Sequence, residues 1–153
     1  MAQDPFLTDA AAKWENMMAY TLEMAEAMPF EHYDFRPTEE QMTFKEQLLH
    51  MAGNVAWLTG SYLQGEKVTI DRTMEGAGKE EIMAAARRAM EAAHAALENL
   101  DATTLNDEVD FFAGPMSRRR IVFLLNDHLT HHRGQIIVYA RMKGVKPPSY
   151  RGW

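Results

Sequence analysis

Apolar residues recur every three or four positions in four stretches of this chain, and that spacing predicts four amphipathic helices. They are expected at residues 8–27, from residue 43 onward, at residues 79–100 and at residues 117–142. No long stretch alternates apolar and polar residues as a half-buried strand would. The pattern therefore predicts an all-α fold, a four-helix bundle with long connections, in a single domain spanning residues 1–153.

Capping residues indicate where these helices begin and end. Thr8 or Asp9 is expected to cap the first helix, and Thr43-Phe-Lys-Glu46 has the form of a capping box at the start of the second. Ser117 is expected to cap the fourth helix, and Gly144 suits the position just after its end.

Two long connections separate the later helices, at residues 60–78 and 101–116. The first contains a β-like patch at residues 67–71, and the second is expected to hold an extended piece and a turn at Gly114-Pro115. Because these connections are long, the order in which the helices pack stays open.

The fourth helix carries the most informative polar residues. At about 100° per residue, one stripe of this helix contains His128 and His132 among apolar positions, with His131 near its edge. The stripe comprises Ile121, Leu124, Leu125, His128, His132, Gln135 and Tyr139. Two imidazoles at i and i+4 lie one turn apart, so both rings can converge on one ion.

Three further histidines lie outside that helix. His50 follows the capping box on the second helix, in a stripe with Asn54 and Trp57 beside the main apolar face. Considered by itself, His50 is interpreted as a hydrogen-bonded residue at the edge of the core. If it lies opposite a histidine pair on another helix, it becomes a candidate metal ligand. His32, in a connection, is read as solvated. His94, with no acidic or histidine neighbour at the facing spacings, is read as structural or exposed.

Composition excludes several kinds of chemistry. The 153 residues include no cysteine, which rules out disulfides, thiolate ligands and a cysteine nucleophile, so any thiol must come from outside. The net charge of −6 argues against general nucleic-acid binding. No apolar run is long enough to span a membrane, and the first residues lack the pattern of a signal peptide. A cytoplasmic protein is expected, although a leader removed before Met1 stays an open alternative.

Three neutral imidazoles from two helices would suit a divalent ion. Three protein ligands leave a coordination position open for water or substrate, whereas structural zinc sites are normally closed by four. An all-nitrogen ligand set fits zinc, nickel, copper or iron. Such an ion would lower the pKa of a bound water or thiol toward neutral. The alternative is that His128 and His132 form only hydrogen bonds inside the bundle.

Two motifs resemble a known family. The string from His128 to Gln135, His-Leu-Thr-His-His-Arg-Gly-Gln, with Gly144 and Pro147-Pro148 after it, resembles the C-terminal signature of the DinB-like, or YfiT-like, family. The segment Phe44-Lys-Glu-Gln-Leu-Leu-His50-Met-Ala resembles the first-histidine motif of that family. The likeness covers essentially the whole chain in motif order and helix count.

This resemblance implies a four-helix bundle in which a histidine triad binds a divalent metal. Position by position, the triad is His50, His128 and His132, and His131 matches an extra histidine that many members carry. Several members are transferases that act with low-molecular-weight thiols such as bacillithiol or mycothiol, and one group isomerises maleylpyruvate with mycothiol. Homodimers are common in the family.

The expected function is a divalent-metal-dependent enzyme, with zinc or nickel as the metal and a small molecule as substrate. It would be a thiol-dependent S-transferase or a related hydrolase that activates a thiol or water, with a low-molecular-weight thiol as a co-substrate. Asn54 and Gln135 could orient substrate or bound water, while Trp57 and Tyr139 could form the pocket wall or pack in the core.

The competing hypothesis is a non-catalytic dimeric module that binds a metal or a small ligand. Phe123 and Ile137 lie about 180° from the histidine stripe and would be exposed in a monomer. They could cover a homodimer interface or pack against other segments of the chain. Neither a membrane nor a nucleic acid is expected as a binding partner.

Overall fold

The computed structural model describes residues 4–153, and it confirms the all-α four-helix bundle. The helices are α1 at Pro5–Ala27, α2 at Phe44–Tyr62, α3 at Lys79–Asn99 and α4 at Arg118–Met142. Single 3-10 turns occur at Phe30–His32 and Ala102–Thr104. Strands β1 at Glu108–Val109 and β2 at Met116–Ser117 pair antiparallel, with Glu108 opposite Ser117.

The helices do not pack in chain order. Both α1 and α2 pack against α3 and α4, so that α1 and α2 occupy opposite corners of the bundle. The connection from residue 28 to residue 43 therefore crosses between diagonal corners. Helices α2 and α4 run antiparallel, because Gln47 near the start of α2 contacts Tyr139 near the end of α4, while Arg118 Nε donates to the Tyr62 carbonyl at the other end.

The predicted caps are confirmed for α2 and α4 and wrong for α1. In the α2 capping box, Glu46 N donates to Thr43 Oγ1 at 3.1 Å and Thr43 N donates to Glu46 Oε2 at 2.7 Å. Ser117 caps α4. Helix α1 begins before the predicted Thr8, because Asp4 Oδ1 accepts from Phe6 N at 2.9 Å and Pro5 suits the first helical position.

The first long connection also differs from expectation. Helix α2 continues through Gly60 to Tyr62, where the sequence predicted a connection from residue 60. The expected β-like patch at residues 67–71 is not a strand, since no segment of residues 4–153 pairs with it. Its apolar side chains Val68 and Ile70 instead pack against the helical core. A Cβ atom at Gly60 would lie 3.2 Å from Lys67 Cα, so the missing side chain lets this connection run close to α2.

Apolar side chains from all four helices form one core. Met17 and Met24 of α1 are buried, and Trp14 Nε1 donates to the Met90 carbonyl of α3 at 2.9 Å. Thr21 is buried in this core, and its hydroxyl donates to the Met17 carbonyl within the same helix. Across residues 4–153, no helix is both long and apolar enough to cross a bilayer.

Helix α4 buries a wider face than the predicted stripe. Besides Leu125, His132 and Tyr139, the buried positions include Val122, Asn126, Leu129, Arg133, Ile136 and Ala140. The face is wider because α4 packs against α1 as well as α2. His128 consequently lies at the edge of the buried face and is half-buried, while His132 is buried.

Candidate metal centre

Three histidines from two antiparallel helices meet at the half-buried boundary between α2 and α4. His50 projects from α2, and His128 and His132 project from successive turns of α4. One ring nitrogen from each lies within 4.8 Å of the other two. The ring centroids of His50 and His132 are 4.5 Å apart, and those of His128 and His132 are 4.4 Å apart. The structure thus brings together the three residues that the sequence singled out.

The facing nitrogens suit a single small cation. His50 Nε2 and His128 Nε2 are 3.1 Å apart. Two nitrogens that bind one tetrahedral zinc at the usual Zn–N distance are separated by about 3.3 Å. Within residues 4–153, the group of potential ligands comprises these three imidazoles and no carboxylate. The donor set therefore fits a borderline-soft divalent ion and leaves room for a further ligand.

The buried amide of Gln47 fixes the third imidazole. His132 Nδ1 lies 2.7 Å from Gln47 Oε1, and a carbonyl oxygen can only accept, so His132 carries its proton on Nδ1. The Nε2 lone pair of His132 is then free for an ion. A hydrogen bond of this kind on the nitrogen away from the metal commonly holds a ligand histidine in one tautomer and orientation.

Gln47 is itself held by two side chains of α4. Its amide nitrogen donates to Gln135 Oε1 at 2.9 Å and reaches the Tyr139 hydroxyl at 3.4 Å, and that hydroxyl donates to the Met42 carbonyl at 3.1 Å. Both Gln47 and Tyr139 are buried. The orientation of the Gln47 amide is therefore fixed by hydrogen bonds to both its oxygen and its nitrogen.

The same chain of hydrogen bonds reaches His131. Because Gln135 Oε1 accepts from Gln47, the Gln135 amide nitrogen faces His131 Nε2, at 3.2 Å. His131 Nε2 thus accepts the hydrogen bond from Gln135, and the His131 side chain is exposed. His131 lies beside the cluster and is not one of the three converging imidazoles, which agrees with its assignment from the sequence motif.

Burial and mutual proximity keep the three imidazoles neutral. Burial lowers the pKa of His128 to about 4, with further lowering from His50, His131 and Arg72. Burial, His128 and His50 together lower the pKa of His132 to about 4. The pKa of His50 is lowered by burial and by the charge of Arg72. Neutral imidazole is the form that binds a metal ion.

Arg72 of the connection between α2 and α3 lies beside this cluster. A Cβ atom at Gly53, one turn after His50 on α2, would lie 2.7 Å from Arg72 Nε and 3.3 Å from its Cζ. The guanidinium therefore occupies the space that a side chain at Gly53 would take. This contact brings a fixed positive charge close to the imidazoles of His50 and His128.

The other predicted site residues have different environments. Asn54 lies one turn after His50, and its Oδ1 is buried without a hydrogen-bond partner among residues 4–153. His128 Nδ1 is likewise buried and has no hydrogen-bond partner among these residues. Trp57 is 37% exposed and contacts the rings of Tyr62, Phe111 and Phe112, so it forms an aromatic surface and not core. Tyr139 and Gln135, by contrast, belong to the hydrogen-bonded support of Gln47.

A surface depression adjoins the support chain. It has a volume of about 610 Å³, and His131, Gln135 and Tyr139 are part of its lining. It is large enough for a small molecule, which ligand pockets of about 300–1,000 Å³ commonly hold. Gln135 therefore lies between the buried amide of Gln47 and a space open to ligand.

The remaining histidines are remote from the cluster. His32 Nε2 lies 3.8 Å from a Glu31 carboxylate oxygen. His94 Nδ1 lies 3.7 Å from Glu98 Oε2, one turn along α3, so the sequence-based statement that His94 has no acidic neighbour is wrong. Neither belongs to the group of possible ligands.

The two apolar residues on the far side of α4 differ from each other. Phe123 is 55% exposed, with one edge against Phe6, as expected for a residue opposite the histidine stripe. Ile137 is partly buried and packs against the core, so of the two alternatives for this residue the structure supports packing within the chain. It packs inward because α4 is covered by α1 as well as α2.

Sequence reasoning missed Gln47 and Arg72. Gln47 lies three residues before His50, on the same side of α2, and that spacing was an available signal. Arg72 gave no signal, since its position depends on the irregular course of residues 63–78.

An antiparallel pair of bundle helices with a half-buried three-histidine cluster defines a helical protein with a candidate metal centre. The model of the DinB family matches residues 2–152, and the chain belongs to that family. The resemblance noted in the sequence is confirmed.

Named relatives agree with this assignment. The chain is 26% identical over 135 residues to the uncharacterized protein YjoA of Bacillus subtilis (strain 168), covering 86% of this chain and 87% of the relative. The crystal structure of the DinB-like YjoA from Bacillus subtilis has a TM-score of 0.77 at 24% identity and covers 94% of this chain and 97% of that one. A DinB-like protein from Bacillus cereus ATCC 10987 has a TM-score of 0.74 at 22% identity, covering 92% and 95%. These two similarities establish the fold.

Proposed function

We propose that this protein is a divalent-metal-dependent enzyme in which His50, His128 and His132 hold the ion. The observation that carries the proposal is the convergence of three imidazole nitrogens within 4.8 Å at a half-buried surface. Neutral imidazoles with lowered pKa values and a buried amide that orients one of them are typical of a metal site.

A catalytic role is favoured over a structural one by the number of ligands. Structural zinc sites are usually closed by four protein ligands, whereas catalytic sites keep a position for water or substrate. The cluster offers three ligands among residues 4–153, and the bundle already has a continuous apolar core without a metal. The all-nitrogen ligand set fits zinc, nickel, copper or iron, and of these zinc and nickel are the metals that we propose.

The proposed reaction is transfer of a small thiol to an electrophile, or a related hydrolysis. A bound divalent ion supplies Lewis acidity, which lowers the pKa of a thiol or water. The chain has no cysteine, so the thiol is a separate molecule. Gln47 holds His132 in one tautomer, and Asn54, one turn after His50 on α2, has a buried side-chain oxygen with no hydrogen-bond partner among residues 4–153.

The test is turnover by purified protein loaded in turn with zinc and nickel, assayed with a panel of small thiols and alkylating or ester electrophiles. We expect thiol consumption that depends on the metal and is lost in His132→Ala, while His94→Ala retains it. A protein with stoichiometric metal and no turnover with any pair would contradict the enzymatic proposal.

That last result would favour the competing function, a non-catalytic dimeric module that binds a metal or small ligand. The specific observation behind this alternative is the apolar exposure on α4, where Phe123 is 55%, Val138 51% and Met142 57% exposed. Such residues suit a homodimer interface. Sedimentation analysis of the purified protein tests the association directly.

A further inference from the structure

Arg72 is presented to the histidine cluster by a turn that its neighbours hold. Asp71 Oδ1 accepts hydrogen bonds from Thr73 N and Thr73 Oγ1, each at 2.8 Å. This Asx-type turn fixes the backbone on both sides of Arg72. The Asp71 carboxylate accepts hydrogen bonds within this turn, which lower its pKa, and it forms no ion pair with Arg72 among residues 4–153.

Gly53 provides the place where the guanidinium lies. Residue 53 is buried in the middle of α2, where a glycine costs helix stability relative to alanine. A Cβ atom there would lie 2.7 Å from Arg72 Nε and 3.2 Å from one of its terminal nitrogens. The glycine thus permits a close approach of the guanidinium to the turn of α2 that follows His50.

The charge of Arg72 has no partner among the described residues. Within residues 4–153, this side chain forms no hydrogen bond and no ion pair, and it is exposed. The group of possible metal ligands contains no carboxylate. With a divalent ion held by three neutral imidazoles, the site would therefore carry an uncompensated positive charge, although the whole chain has a net charge of −6.

We propose that Arg72 binds a carboxylate of the molecule that takes the open position at the histidine cluster, so that the ligand is a small carboxylic acid. The inference rests on the proposed metal-dependent function. A guanidinium presents paired N–H donors that match the two oxygens of a carboxylate, and such charge-assisted bonds both strengthen binding and orient the ligand. The unpaired cation also attracts anions into the site.

Two thiols that differ in one group provide the probe. We would titrate 3-mercaptopropionate and 3-mercaptopropanol into cobalt-loaded protein and measure affinity by calorimetry and thiolate coordination by the cobalt absorption bands. The carboxylate compound is expected to bind about 10-fold more tightly than the alcohol, the size of one charge-assisted interaction. In Arg72→Gln the two affinities become equal, whereas Arg87→Gln, an exposed arginine of α3, keeps the preference.

Gly53→Ala supplies a second variant that keeps the arginine. It is expected to retain or raise helix stability while displacing the guanidinium, so the carboxylate preference falls without unfolding. Combining it with Arg72→Gln should produce no further loss, because both changes remove the same interaction. A preference unaffected by both variants overturns the inference.

The two readouts separate the inference from the function on which it rests. Absence of a cobalt band change with either thiol contradicts thiol activation, and a carboxylate preference in calorimetry then still supports Arg72. Band changes with equal affinities for the two thiols support thiol activation and overturn the role of Arg72. Absence of binding by both probes overturns the inference as well.

Discussion

Gln47 Oε1 accepts a hydrogen bond from His132 Nδ1 at 2.7 Å, across the interface between α2 and α4. Gln47 is 1% exposed and His132 is 8% exposed, so the bond lies in a region where an unpaired polar atom is costly. The contact joins the helix of one candidate ligand, His50, to the helix of the other two.

The first prediction concerns this bond. Replacing Gln47 by Leu removes the acceptor and frees the His132 ring to rotate and change tautomer. Loss of such a supporting residue typically lowers metal affinity about 10- to 100-fold. Competition with a chromogenic chelator measures the zinc affinity, and circular dichroism checks that the helices remain.

Gln47→Glu is the matched control. It keeps an oxygen acceptor for His132 Nδ1 and is expected to retain at least the wild-type affinity, since a carboxylate is a stronger acceptor. Equal affinities for the leucine and glutamate variants would show that Gln47 supports the fold and not the ligand.

The second prediction identifies the ligands. Substituting His50, His128 or His132 singly by Ala is expected to abolish stoichiometric metal binding, because two imidazoles remain of a three-ligand set. Elemental analysis of dialysed protein measures the loss. His131→Ala should keep the metal, because His131 Nε2 is bonded to Gln135 and is not aimed at the cluster.

Two remote residues complete this comparison. His94→Ala and His32→Ala are expected to leave the metal content unchanged, since neither belongs to the cluster. Metal retained in His132→Ala, or lost in His94→Ala, would mean that the ligands are other residues.

Much of the fold could be predicted from periodicity and caps. The apolar spacing located all four helices, and Thr43 with Glu46 marked the start of α2, because these signals are local. The placement of α1 and α2 at opposite corners could not be predicted, since every amphipathic helix can pack against several neighbours. The prediction of a β-like patch around Val68 was wrong for a related reason. A strand requires a partner strand, and apolar residues can pack against helices instead.

The site was predictable only in part. His128 and His132 were identifiable because an i, i+4 pair lies on one side of a single helix. His50 required the resemblance, since nothing local aligns α2 with α4. Gln47 and Arg72 depend on how separate segments meet in three dimensions, which no spacing rule encodes.

The third prediction concerns pH. The pKa values of His128 and His132 are lowered to about 4 from the ordinary 6.5. The folded state therefore binds fewer protons than the unfolded chain between those values, and unfolding takes protons up. The free energy of unfolding of metal-free protein should be highest above about pH 6.5 and should fall as the pH falls toward 4.

Urea titrations at several pH values measure this dependence. The double variant His128→Gln, His132→Gln cannot be protonated at these positions, so its stability should fall less over the same range. Carboxylates titrate in both proteins, and the difference between the two curves isolates the histidines. Parallel curves would show that the pKa values of these imidazoles are the same in the folded and the unfolded protein.

The fourth prediction concerns Arg133, which is 3% exposed in the interface between α4 and α1. Its guanidinium lies 4.7 Å from the Tyr20 ring centroid and donates to the Met17 carbonyl at 3.4 Å and to Met17 Sδ at 3.1 Å. Burial lowers its pKa. Within residues 4–153 it has no carboxylate in an ion pair, so little offsets the cost of burying the charge.

Arg133→Met should therefore change the free energy of unfolding by less than about 1 kcal/mol or raise it, because a side chain of similar length replaces a buried charge. Arg133→Ala, which leaves a cavity, should lower it by about 2–4 kcal/mol. Both variants should keep stoichiometric metal, since Arg133 points toward α1 and away from the cluster. Thermal or urea unfolding separates the two outcomes. A methionine variant as unstable as the alanine variant would mean that the contacts with Tyr20 and Met17 outweigh the desolvation of the guanidinium.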